Sequence, residues 1–274
     1  MSSVNQTALV VWEQLRHFQG LIGDCSGKVK FAGLNAIDHM FKARELINVD
    51  PNMACFRAIC AEEEAATSLL SSLKSQNYPD SEKIHLWTHS NKAAVIVFIS
   101  GVIDWFNELI TMDGLPFGKP VLHHTNEPGR PAIELILPWP AIGKALHPRP
   151  PLHLLVKGSV SIQEMIGESV RVKLKKKYIQ EIRGAVELKA NLRNQLLYAS
   201  DSRIPGRINN HEQFVENQAA VVSALLTAVG LIDPWREPEY PLSGVVVSAI
   251  SEFVRVMSAV KKNSNKPGNS PAGD

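Results

Sequence analysis

Apolar residues recur every three to four positions through most of this chain, and the runs end at Gly, Pro, Asn or Asp signals. A helix turns about 100° per residue, so this spacing gives each run one apolar stripe. Stripes of this kind are buried by packing helices around a common core. The runs predict helices over residues 6–21, 29–47, 51–74, 81–112, 161 to about 201, 213–229 and 242–260. The clearest start signal is Asp50-Pro51, a capping residue followed by proline in the first turn.

The pattern changes between Gly114 and Gly158, where prolines and glycines crowd in. Ile133–Leu137 and Leu152–Val156 have strand composition there, which predicts a small hairpin. The expected fold is mainly α: a helical bundle in two packed halves, 1–113 and 158–262, with a small β insertion at 114–157. Residues 263–274 are rich in Ser, Asn, Pro and Gly and are expected to form a disordered tail.

With 274 residues the chain can bury a large core, and its net charge of +2 does not demand nucleic acid as a partner. Cys25, Cys55 and Cys60 have neither metal-ligand spacing nor a paired framework. They read as reduced, packed thiols of a cytoplasmic protein. The N-terminus lacks the basic and apolar regions of a signal peptide. No uninterrupted apolar run reaches the roughly 20 residues of a membrane span. The best candidate, Ala93–Ile110, is broken by Asp104, Asn107 and Glu108, so no membrane is expected.

Phosphate-loop, dinucleotide-binding, nucleophile-elbow and His-Glu-x-x-His motifs are absent. In the third helix Glu62 and Glu63 fall on or beside a stripe of Cys55, Ile59, Ala66, Leu69, Leu70 and Leu73, whereas Glu64, Arg57 and Ser71 point away. A carboxylate in that position either snorkels from the margin or binds a partner from another helix. The stripe of the 81–112 helix, Ile96, Ile99, Ile103, Phe106 and Ile110, runs back through Lys92, His89 and His85. Two His four apart can chelate a metal, but no third ligand stands at a matching spacing, so no metal is expected. His123, His124, His147 and His153 read as surface loop residues. Lys173, Lys175, Lys176 and Lys177 form the one dense basic run, which suits either a solvated helix face or a phosphate backbone.

The helix ending near 201 has two unlike stripes. Ala185, Leu188, Leu192, Leu196 and Ala199 make the apolar one; Glu187, Asn191, Asn194, Tyr198 and Asp201 make the polar one. Arg193-Asn194-x-x-x-Tyr198 within it resembles the Arg-x-x-x-x-His element of the HEPN superfamily of helical-bundle proteins. A softer likeness joins residues 30–75, with Ala-Glu62-Glu63-Glu64-Ala, to the AbiV-type phage-defence proteins of that group.

The resemblance implies metal-independent RNA cleavage at a composite site of paired domains. Arg193 would offset charge on the phosphorane, with Asn194 and Glu187 beside it. Tyr198 stands where the family has His, and a phenol is a poor base at neutral pH. The expected function is therefore that of an HEPN-like factor acting on RNA or a nucleotide. It would work as a homodimer and without a cofactor. The competing expectation is a non-catalytic helical module that binds a partner or a small ligand. A metal-dependent hydrolase using His85, His89 and a Glu is a more distant third.

Overall fold

Helix α3 lies at the centre of the core, and its sequence explains why it can. In the computed structural model α3 spans Pro51–Ser75, and the Asp50 side chain caps it by accepting from the Met53 N–H at 3.0 Å. From Ala65 to Leu73 every residue is buried, so this part of the helix is enclosed on all sides. Small side chains permit that enclosure. Two buried hydroxyls on this helix find acceptors within it: Thr67 donates to the Glu63 carbonyl and Ser72 to that of Leu69. Ser68 instead reaches the Val29 carbonyl on the neighbouring helix at 2.8 Å. Ser71, expected to face away, is buried as well.

The structure describes residues 3–86, 91–92, 94–96, 99, 102–103, 106, 117–125, 132–153, 196, 208–235 and 240–264. Among these the protein is mainly α, with one small sheet. The helices are α1 (Ser3–Gly23), α2 (Gly27–Leu46), α3, α4 (His211–Ile232) and α5 (Gly244–Ser264). Residues 91–92, 94–96, 99, 102–103 and 106 are also helical, and Leu196 is a buried helical residue. Helix α3 packs against α2 and α4, and α4 against α1. One apolar core joins residues of all five helices with Ile133 and Leu196.

Glycine sets two of these contacts. A Cβ on Gly33 would lie 2.6 Å from the Ile22 Cγ2 and 3.1 Å from the Ser68 Oγ. The core face of α2 is accordingly Val29, Ala32, Gly33, Ala36, Ile37 and Met40, and Phe31 is 69% exposed. A Cβ on Gly230 of α4 would meet the Ile133 side chain at 2.7 Å, so glycine lets the sheet close onto this helix.

The sheet is antiparallel with strand order β1-β2-β3: β1 (Val121–Thr125), β2 (Ala132–Trp139) and β3 (Lys144–Leu146). The predicted Ile133–Leu137 strand lies inside β2. The predicted strand at Leu152–Val156 is not seen at Leu152 and His153, which form a turn and irregular backbone; its other residues lie outside the described ones. Nor does the predicted helix start at Ser81. Ser81–Lys83 make a single 3-10 turn, and Ile84 is then extended. Its side chain is only 2% exposed, and burying it takes the chain off the helical path. At the other end α5 runs through Asn263 and Ser264, two residues into the predicted tail.

Candidate functional site

An apolar cavity of about 570 Å³ lies among α3, α4, α5, the helical residues Val95, Ile99, Val102, Ile103 and Phe106, and the sheet. Helix α4 supplies a wall of Ala220, Ser223, Ala224, Thr227, Ala228 and Leu231. Their spacing of three and four places them on one face. Five of the six are small, which leaves volume unfilled. The buried residues Val215, Ala219, Val222, Leu226 and Val229 pack into the core. The helix is thus apolar on both sides, once for packing and once for the cavity. His211–Trp235 is therefore long and apolar enough to cross a membrane by composition, and half of its most apolar window is buried.

Opposite stand Leu69, Leu70 and Leu73 of α3, Val245, Val246, Ala249, Ile250 and Phe253 of α5, and Val95, Ile99, Val102 and Phe106. Pro120, Leu122 and Leu135 close the side formed by the sheet. Among the described residues the polar side chains on the wall are Gln14, Lys119, Ser223 and Thr227. Ser223 donates to the Gln14 Oε1 at 3.0 Å, and Thr227 to the Ser223 carbonyl at 2.8 Å. Both hydroxyl protons are thereby used within the protein.

Of the candidate residues singled out in the sequence, the described ones, Glu62, Glu63, His85 and Lys92, do not line this cavity. Glu62 is buried, at 4% exposure, whereas Glu63 is half-buried; both have interaction partners. His85 is exposed and non-helical, so it shares no helix face with His89. Its carbonyl accepts from the Asn91 side chain at 3.0 Å. Lys92 is helical and half-buried, and the polar side chain that turns inward there is its neighbour Asn91, at 3% exposure. His89, Lys173, Lys175, Lys176, Lys177, Glu187, Arg193, Asn194 and Tyr198 lie outside the described residues. Among the described residues no three metal-ligating side chains come together.

The cysteines form no disulfide. Burial, with the Asp233 carboxylate beside it, pushes the Cys25 thiol up to about 12, and burial alone pushes Cys55 up to about 11. Neither is a ready thiolate at neutral pH. His124 is not the surface residue expected. Its ring packs edge-on against His17 at 4.8 Å and against Phe18 at 5.5 Å, joining β1 to α1. Burial, then His17 and His123, hold it below the ordinary histidine pKa. The His124 Nδ1 is buried without a partner. Burial, then the Arg57 guanidinium, likewise lower His39, whose Nδ1 accepts from Arg57 at 3.1 Å.

A histidine held low is favoured neutral in the folded state. Its stabilisation is therefore complete above the unfolded pKa of about 6.5 and lost as pH falls through the lower folded value. The melting temperature should fall on acidification below about pH 6.5. The double variant His39→Gln, His124→Gln should flatten that fall. An unaltered profile in the double variant would count against both assignments.

No protein-family model, curated protein or solved structure matches the chain. The cavity was not legible in the sequence. Its one trace is the small-residue spacing of Ala220, Ser223, Ala224, Thr227 and Ala228 within an otherwise aliphatic helix.

Proposed function

We propose that this protein binds an apolar small molecule inside its helical body. The observation that carries the reading is the cavity of about 570 Å³ with its nearly all-apolar wall. That volume lies within the range of about 300–1,000 Å³ usual for small-molecule sites. Burying a hydrocarbon surface there would drive binding at roughly 25 cal/mol per Å² removed from water. Titration with Nile red, a neutral apolar dye, tests it. Saturable one-to-one uptake with a blue-shifted emission and a raised melting temperature is expected. Dye bound only as the protein unfolds would sink the reading.

The HEPN-like reading makes a different demand. It rests on Arg193, Asn194 and Tyr198, and is supported by the buried acid Glu62 on a small-residue helix. Under it the protein cleaves RNA in the presence of EDTA, and Arg193→Ala abolishes cleavage at an unchanged melting temperature. Cleavage that persists in that variant, or that needs added metal, rejects it.

A further inference from the structure

We infer that the occupant of the cavity is a single-chain anionic amphiphile, held with its acid group at Lys119 and its hydrocarbon inside. The inference rests on the cavity-binding reading above and adds the chemistry of the ligand. The polar inventory of the wall decides it. Ser223 and Thr227 spend their protons on the Gln14 side chain and the Ser223 carbonyl. A ligand that carried polar groups deep into the cavity would lose their hydration there and gain little in return. The buried part is therefore hydrocarbon.

Charge selects the other end. No carboxylate lines the cavity among the described residues, so nothing there offers a counter-charge to a cation. The charged side chain on its lining is Lys119, which is exposed and enters no ion pair or hydrogen bond among the described residues. It sits beside Pro120 and close in sequence to Leu122, both on the cavity wall. An ammonium placed there offers a compact positive charge to a carboxylate, sulfate or phosphate at the mouth.

Titrations of the full chain with laurate, lauryl phosphate and lauryl alcohol separate head from tail. The two acids should bind about two- to five-fold tighter than the alcohol, the gain of one exposed ion pair, and added salt should shrink the margin. Each methylene added within the cavity's length should tighten binding about four-fold. Lys119→Gln should erase the preference for the acids. Lys144→Gln, on exposed β3 and away from the cavity, should keep it. Preference for only one of the two acids identifies the headgroup and supports the inference. Equal binding of acids and alcohol, or a preference that survives Lys119→Gln, overturns the inference and leaves the apolar cavity standing. No binding of any of the three, alcohol included, overturns the cavity reading itself.

Discussion

Ala224→Trp should abolish uptake of an apolar ligand and leave the melting temperature unchanged or higher. Ala224 is half-buried at the middle of the small-residue wall, with Ala220 and Ala228 one turn away on either side. An indole added there enters empty volume rather than another side chain. It gives up about 0.7 kcal/mol or less of helix propensity. In return it buries a large apolar surface, at about 25 cal/mol per Å². Val222, two residues earlier, has no exposed surface and belongs to the core. Trp at that position should overpack and destabilise by about 1–3 kcal/mol or more. The pair is read by thermal melting and dye titration. If Ala224→Trp destabilises as much as Val222→Trp, the space beside Ala224 is already filled and the cavity account is wrong.

Trp12→Ala should remove about 3–5 kcal/mol of stability, as large aromatic truncations do in packed cores. Trp12 is only 1% exposed although it stands on the first helix. Its indole N–H donates to both oxygens of Glu216 on α4, at 2.8 and 3.0 Å. The Arg44 guanidinium lies 4.7 Å from the indole, and the Phe41 ring 5.9 Å from it. One side chain therefore joins α1, α2 and α4, and its loss leaves a void and takes a donor from Glu216. Trp12→Phe keeps much of the packing but not the donor, and should cost about 1–3 kcal/mol. Urea unfolding measures both. A loss under about 1 kcal/mol for Trp12→Ala would mean that the ring is not part of the core. Against a usual total of about 5–15 kcal/mol, the expected loss is a large share of the whole.

The helices were legible because periodicity reports burial on one side. The start of α3 was legible because Asp50 and Pro51 are capping chemistry rather than packing. Faces were read less well than boundaries. Phe31 has the size of a core residue, but the close approach of α2 to Ile22 and Ser68 gives the inward positions to Ala32, Gly33 and Ala36. Ser71 looked solvated because it lies off the apolar stripe, but α3 is enclosed from every direction over residues 65–73. The β1 strand, Val-Leu-His-His-Thr, escaped notice because it lacks alternation, and β3 is three exposed residues long. The cavity could not be read from a pattern of residue types, because it is volume left by side chains that are too small to fill it.

The enclosure of α3 also fixes an order in time. Its last turn is tied to the chain 157 residues later, where Gln76 donates to the carbonyl and carboxylate of Asp233. Trp12 waits longer still, for Glu216 at a separation of 204 residues. A ribosome adds about 5–20 residues each second, so α3 emerges roughly 8–30 s before α4 exists to cover it. During that interval Ala65, Ala66, Leu69, Leu70 and Leu73 lack one of the walls that later surround them. The first three helices are a half-finished surface for as long as translation takes to reach the fourth. Until the fourth helix is made, that apolar surface stands open to solvent.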